Sequence, residues 1–366
     1  MPNYADLSWQ ERGLLDFEHI WIDLIPDEWR SVLAALHELR GKEIILIVEA
    51  MFFGIMPLFY GAPVPGRKPT SLCVSVTVPF IKAEGLGPAF LNVEGEQGWK
   101  VWDRCTRDLN DGFKEKLKEA GCTREVEGEF LSGQNYTGHD RILQLGVGGM
   151  FERRKWPERF RFVGVLPKKG EPVGGWKVPN WWADVKGERK VVVVAQGTVE
   201  VDPADLILPT LRAMEERKDV LVVAILGRRG ATLPERFVIP ANARVADYLA
   251  YEAILPWASA WVHNGGYGAV QHGIAHGVPM VVAGEGQDKT ENAKLVEFSG
   301  SGVNLGRVPP PTEDVRRAID TVLDDMRFRA RVKALSDDSA QLDCFEAIEK
   351  DILDSWQQGK DFGTGS

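Results

Sequence analysis

From Val191 to Met326 the chain alternates short β-rich runs with amphipathic helical stretches, and this alternation restricts its fold more than any other feature. "VVVVAQ" precedes "DPADLILPTLRAMEERK", "VLVVAIL" follows, and "ARVADYL" precedes "AYEAILPWA". "AWVH" then leads through a glycine turn into "YGAVQHGIAH", "VPMVVA" into "KTENAKLVEFSG", and "GVNL" into "PTEDVRRAIDTVLDDM". A strand that returns through a helix to a parallel neighbour needs such a crossover, so the pattern predicts an α/β fold with a doubly wound parallel sheet. The first part is less regular. It offers a strand near Ile44, "SLCVSVTV", a helical stretch from about Arg104 to Ala120, and "RILQLGVGG", an incomplete α/β layer. Between the parts, "GVLPKKGEPVGGWKVPNWWADVKGERK" is dense in Pro, Gly, Lys and Trp without a period, which reads as a linker. The expected division is residues 1–163, a linker over 164–190, a second domain over 191–337, a helix over 338–357 and a loose polar tail over 358–366. The 366 residues, 44% hydrophobic, suffice for two cores.

The glycine turn lies in "WVHNGGYGAVQHGIAHGVPMVVAG", residues 261–284. A glycine-rich turn between a strand and a helix in a parallel sheet presents backbone N–H groups to an anion, so a phosphate is the expected ligand. A dinucleotide fold wants G-x-G-x-x-G after its first strand; here Gly266 and Gly268 are followed by Gln271, and the turn follows the fourth strand of its domain. A P-loop is excluded, since no G-K-[ST] follows.

Other classes are excluded on composition. A formal charge of −9 argues against nucleic acid as the partner. Four separated cysteines, Cys73, Cys105, Cys122 and Cys344, suggest neither a zinc ribbon nor a disulfide scaffold and fit a reducing cytoplasm. The N-terminus lacks the order of a signal peptide. "IILIVEAMFFGIMPLFYGAPV", residues 44–64, approaches the length of a membrane span, but Glu49, Gly54 and Pro57 interrupt it, and a buried strand running into a buried helix is the expectation. His272 and His276 stand i, i+4 with His263 nearby, yet no carboxylate completes a zinc set, so no metal is expected.

With the turn, its flanks and the linker taken together, the chain resembles the nucleotide-sugar-dependent glycosyltransferases of the two-Rossmann-domain type, the UDP-glycosyltransferases and macrolide glycosyltransferases, in their branch with NGGYG. The matches are Asn264-Gly265-Gly266-Tyr267-Gly268-Ala269, Gly277-Val278-Pro279, Asp288-Lys289 and Asn292-Ala293, with "FVGVLP", "VVVVAQGT" and "SGSGVNL" in support. The resemblance implies two Rossmann-like domains facing across a cleft (GT-B type), the N-terminal one incomplete. It implies a donor diphosphate held by Thr198, Asn264, Gly265, Gly266, Tyr267, Gly268 and Ala269. The base and ribose would meet Tyr248, Leu249 and His272, and the donor sugar Asp288 and Lys289. A core position is the competing reading of Tyr248, and solvated surface charge that of Asp288 and Lys289. His272 stands where relatives carry Glu or Gln; imidazole accepts one hydroxyl hydrogen bond but not the pair a carboxylate accepts.

The implied reaction is transfer of a hexose from UDP or dTDP to a hydroxyl of a small hydrophobic acceptor, with inversion, and with no cofactor or metal. The family's catalytic base is a histidine in a G-H-x-x-P-like setting, and the chain contains no such motif; His19, His37 and His139 match nothing catalytic. The expectation is an N-terminally truncated member in which Glu49 stands for the usual acidic residue. The alternative is a catalytically impaired nucleotide-sugar-binding or helper protein. Missing strands would bare a sheet edge and invite self-association.

Overall fold

The computed structural model describes residues 6–83, 86–88, 91, 93, 95–151, 155–167 and 178–363. The chain forms two compact units: residues 1–145, 153–163 and 343–366, and residues 146–152 and 164–342. Ten of the positions expected to act as a linker, 168–177, lie outside the described residues.

The first unit carries a parallel sheet of β1 (Ile45–Val48), β2 (Thr70–Ser75), β3 (Arg141–Gln144) and β4 (Phe160–Phe162), in that spatial order. β2 and β3 are almost wholly buried, as interior parallel strands are. β1 is not: it lies at the sheet edge and Ile47 is 49% exposed, so the expected buried strand within residues 44–64 is corrected to a half-exposed one. The rest of that stretch, Phe53–Phe59, does bury its side chains, in a 3-10 turn followed by one helical turn. No described helix is long and apolar enough to cross a membrane.

The expected helix near residues 104–120 is present as Arg107–Glu119; a second helix, Gly95–Cys105, precedes it, and the two are separated at buried Thr106. Thr106 Oγ1 donates to the Trp102 carbonyl at 2.9 Å, and its ψ of 14° departs from the helix. Phe53, Phe113 and Phe130 pack as a ring cluster with centroids 5.9–6.3 Å apart. The last helix, Cys344–Gly363, packs against β1 and β2 and buries Cys344 beside Leu143, Leu145 and Val163. It begins six residues later than 338, because residues 326–340 form a separate helix, and it runs through most of the segment expected to be a loose tail.

The second unit holds six parallel strands: β5 (Lys190–Ala195), β6 (Val220–Ile225), β7 (Ala243–Ala246), β8 (Ala258–His263), β9 (Met280–Val282) and β10 (Gly302–Asn304). Their spatial order is β10-β9-β8-β5-β6-β7. Counted within the unit this is the 3-2-1-4-5-6 order of a doubly wound nucleotide-binding sheet, with its reversal between β5 and β8. β5, β6 and β9 are Val-rich and almost wholly buried, as interior parallel strands are, and Val192, Val194, Val222 and Val262 pack with Leu211, Val315 and Ile319 from the helices Ile207–Met214 and Thr312–Asp324. Ala195 pairs with His263, and His263 with Val282, so β5, β8 and β9 end side by side. That register places three loops at one carboxyl edge.

Candidate nucleotide-sugar site

The loops after β5, β8 and β9 start at Gln196, Asn264 and Ala283, and glycines let them touch. A side chain at Gly284 would place its Cβ 1.8 Å from the Asn264 carbonyl oxygen, so only glycine permits that crossing. Gly227, after β6, has φ +77° and the same relation to the Gly197 carbonyl, at 1.9 Å. The edge of the sheet is thus closed by backbone against backbone, at the switch point where open α/β sheets bind ligands.

The helix Tyr267–His276 starts here with Gly266 as its N-cap, and no side chain caps it. Of the five amides from Gly265 to Ala269, two are engaged internally. The Gly265 N–H donates to His263 Nδ1 at 3.1 Å, and the Ala269 N–H to the Gly266 carbonyl at 3.0 Å. Among the described residues the Gly266 and Gly268 N–H groups have no internal acceptor, and both residues reach the surface. Two open donors at the positive end of a ten-residue helix can take a doubly charged oxyanion group. The five-amide cradle expected from the sequence is therefore narrower, with Gly265 held in place by His263 rather than open. The Tyr267 side chain is buried against Gly146, where a Cβ would lie 2.8 Å from its hydroxyl, so Tyr267 offers backbone only.

The Asn264 amide is engaged within the fold. Its Nδ2 donates to the Gln196 carbonyl at 2.6 Å and to Glu200 Oε2 at 3.2 Å, which ties the loop after β8 to the loop after β5. Thr198 is exposed near the tip of that second loop and has no hydrogen-bond partner among the described residues.

Asp288 and Lys289 are not solvated surface charge. Lys289 is 4% exposed; its Nζ lies 3.2 Å from Glu200 Oε1 and donates to Gln287 Oε1 at 2.6 Å. Asp288 Oδ2 accepts from Asn292 Nδ2 at 2.9 Å, and the same amide donates to the Gly265 carbonyl at 2.8 Å. Asn292 therefore links the Asp288-Lys289 pair to the glycine turn.

On the β7 side, Tyr248 is 44% exposed with the Arg229 guanidinium 4.8 Å from its ring centroid, so it is not a core aromatic. Asp247 anchors it: the Tyr248 N–H donates to Oδ1 and the Gly230 N–H to Oδ2, both at 2.7 Å. These bonds, that from Gly230 foremost, lower the Asp247 pKa. Leu249 is buried behind. His272 is half-buried, edge-on to Tyr251 at 5.3 Å and stacked with His276 at 6.5 Å. Among the described residues no three His, Cys, Asp or Glu side chains cluster to hold a metal ion.

His263 is buried at the end of β8, stacked on Trp261 at 5.4 Å, and burial pushes its pKa down to about 3. It is neutral at physiological pH, which lets Nδ1 accept the Gly265 N–H. In the first unit, His139 is likewise neutral, its pKa pushed by burial to about 3 and its Nδ1 2.6 Å from Ser71 Oγ. His19 is exposed; its Nδ1 meets Asp23 Oδ2 at 2.8 Å, and that hydrogen bond raises its pKa. Glu49 accepts from the Met51 N–H at 2.6 Å and from the Val76 N–H at 3.4 Å, bracing the ends of β1 and β2.

Sequence reading passed over Glu200, Gln287 and the anchoring role of His263. The run "QGTVEVD" did signal a strand-ending loop at the switch point, and a carboxylate there was the available clue to Glu200.

Residues 212–354 match the family described as erythromycin biosynthesis protein CIII-like, C-terminal domain. UDP-glucosyltransferase A1 of Starmerella bombicola is 33% identical over 353 residues, covering 93% of this chain and 75% of that protein. UDP-glucosyltransferase 1 of Beauveria bassiana (strain ARSEF 2860) is 34% identical over 344 residues, covering 88% and 75%. The 4'-demethylrebeccamycin synthase of Lentzea aerocolonigenes is 33% identical over 350 residues, covering 93% and 80%. Among solved structures, the glycotransferase of kitacinnamycin superposes with a TM-score of 0.68 at 20% identity, over 97% of this chain and 84% of that one. The spinosyn rhamnosyltransferase SpnG complexed with thymidine diphosphate gives 0.59 at 18%, over 96% and 85%. With that identity over most of its length, two parallel sheets of the GT-B type and a glycine-turn helix at the switch point of the second, the chain belongs to the UDP-glycosyltransferase family of nucleotide-sugar-dependent glycosyltransferases.

Proposed function

We propose that this protein transfers a hexose from a UDP- or dTDP-sugar to a hydroxyl of a small hydrophobic acceptor, with inversion at the anomeric carbon and without a metal ion. The observation that carries this reading is the pair of open amides at Gly266 and Gly268, set at the switch point with Tyr248 on one side and Asp288-Lys289 on the other. The donor diphosphate would accept from these two N–H groups, and Thr198 Oγ1, exposed in the loop after β5, would add a third donor. As the glycosidic bond breaks, charge grows on the leaving phosphate, and fixed amides at a helix N-terminus stabilise it without reorganising. That supplies by dipole what a divalent cation supplies elsewhere. The exposed ring of Tyr248 would stack on the nucleobase, and His272 would accept from a ribose hydroxyl. Asp288 and the remaining N–H of Lys289 would meet sugar hydroxyls. The acceptor class draws on relatives: one is a 4'-demethylrebeccamycin synthase and one superposed structure is SpnG complexed with spinosyn aglycone.

A second reading, a nucleotide-sugar-binding helper without turnover, draws support from the histidines of the first unit. His139, neutral and hydrogen-bonded to Ser71, is unsuited to take a proton from an acceptor. Purified protein incubated with UDP-sugars and panels of phenols and alcohols, with and without EDTA, separates the two. UDP release that persists in EDTA, with a product of inverted anomeric configuration by NMR, supports the transferase; a UDP-induced thermal shift without turnover supports the helper. Neither binding nor turnover refutes both.

A further inference from the structure

Lys289 is an ammonium group removed from water, and its charge is met by one carboxylate. Glu200 reaches it from another loop: Oε1 lies 3.2 Å from Lys289 Nζ while Oε2 accepts from Asn264 Nδ2 at 3.2 Å. One carboxylate thereby spans the loops after β5, β8 and β9. Gln287 Oε1 takes a second proton of Nζ at 2.6 Å, and among the described residues a third has no acceptor. Asp288, next in the chain, is turned to Asn292 and is not paired with Nζ. Glu200 is 38% exposed at its side chain, against 6% for Lys289, so it stands on the solvent side of the ammonium.

An ammonium held this way with no counter-ion would favour an anionic ligand, since a buried unpaired charge is costly and a carboxylate relieves it. With Glu200 in place the pair is neutral, and an entering carboxylate would meet a like charge. We propose that Glu200 sets the class of sugar this site accepts: by neutralising and orienting Lys289 it reserves the remaining N–H for a hydroxyl of an uncharged hexose and excludes uronic acids. This rests on the reading of Asp288-Lys289 as the donor-sugar contact. Glu200 is a positioning residue that acts through Lys289, and no bond to the sugar is assigned to it.

The test compares binding of UDP, UDP-glucose and UDP-glucuronate to the wild type and to Glu200→Gln, which keeps the shape and removes the charge, its amide oxygen still able to accept from Asn264 Nδ2 while its NH2 replaces the acceptor facing Lys289 Nζ. UDP affinity should stay within about twofold, while the preference for UDP-glucose over UDP-glucuronate should fall by about tenfold or more, the size of a charge-assisted hydrogen bond gained by the uronate. A double variant, E200Q/K289M, should lose that gain, which a general loosening of the loop would not produce. If E200Q binds UDP normally with unaltered discrimination, the proposal is overturned and the diphosphate reading stands. If the wild type fails to bind UDP, the diphosphate reading falls and takes the proposal with it. Should E200Q unfold, K289M alone decides: a fall in affinity for UDP-glucose that is not matched by UDP-glucuronate supports the proposal, and unchanged discrimination between the two sugars with UDP binding intact overturns it.

Discussion

Gly266→Ala separates what the fold requires from what a ligand requires. Gly266 has φ −59° and ψ 140°, angles any residue adopts, and a Cβ built there meets nothing nearer than Asn264 Oδ1 at 3.9 Å. Two small terms act on stability in opposite directions. Alanine restricts the unfolded chain, which stabilises by about 0.4–1 kcal/mol, and it is a poorer N-cap than glycine by a similar amount. Folding stability should therefore change by less than about 1 kcal/mol. Binding should change far more. The new methyl would project into the open space in front of the free Gly266 and Gly268 amides, where a diphosphate would have to withdraw from at least one of them. A hydrogen bond to a charged group contributes about 1.5–3 kcal/mol, so UDP affinity should fall by about ten- to a hundredfold. Isothermal titration with UDP beside urea unfolding reads both quantities. Gly265→Ala is the control: φ is +85° and a Cβ would sit 3.0 Å from the Lys289 carbonyl oxygen, so it should lower stability as well as affinity. UDP affinity unaltered in a folded Gly266→Ala protein would refute the assignment of this turn to the diphosphate.

Tyr248→Ala should weaken UDP by about tenfold, the scale of one base–aromatic stack, and leave pyrophosphate binding and the melting temperature unchanged, because the ring is exposed; equal loss for both ligands counts against a nucleobase contact. Gly284→Ala and Gly227→Ala should each destabilise the second unit by about 3 kcal/mol or more, since backbone must move by more than an ångström, and urea midpoints read this directly. Acid should destabilise the protein through His139 and His263. Both have folded pKa values depressed to about 3 from the ordinary 6.5, so the unfolded chain binds the proton first, and stability is full above pH 6.5 and lost as pH falls from there towards 3. Each should cost about 2 kcal/mol at pH 5. Melting curves of His139→Asn should show a flatter dependence between pH 7 and 5; an identical slope counts against a neutral buried imidazole. In the folded protein His263 stays neutral down to about pH 3, so its bond to the Gly265 N–H persists and UDP affinity should not change through this group between pH 7 and 5.

Much of the second unit was legible in one dimension. Val-rich runs alternating with amphipathic helices have one physical solution, a parallel sheet covered on both faces, and six such runs became β5 to β10. The glycine turn could be read because Gly265, Gly266 and Gly268 are local: a strand end, a left-handed backbone and a helix start lie within a few residues. The first unit was harder to read, because its strands do not alternate regularly with helices and its burial does not follow from hydrophobicity. "IILIV" reads as an interior strand, yet β1 lies at an edge, a matter of strand order rather than of side chains. The helix expected near residues 104–120 is present over Arg107–Glu119, and what the sequence reading did not separate is the preceding helix Gly95–Cys105, divided from it at Thr106.

The sequence by itself determined the periodicity, hence the fold class, and the short-range chemistry of the glycine turn, hence the kind of ligand. Only the tertiary structure decided which groups stay available to that ligand. Strand order brings β5 beside β8 and β8 beside β9, which lets Glu200 reach Lys289 across 89 positions of the chain and turns the Asn264 amide inward to Gln196. Hydrogen-bond donors are used up by whichever acceptor folding sets next to them, and that neighbour is chosen by sheet topology, which no spacing along the chain records.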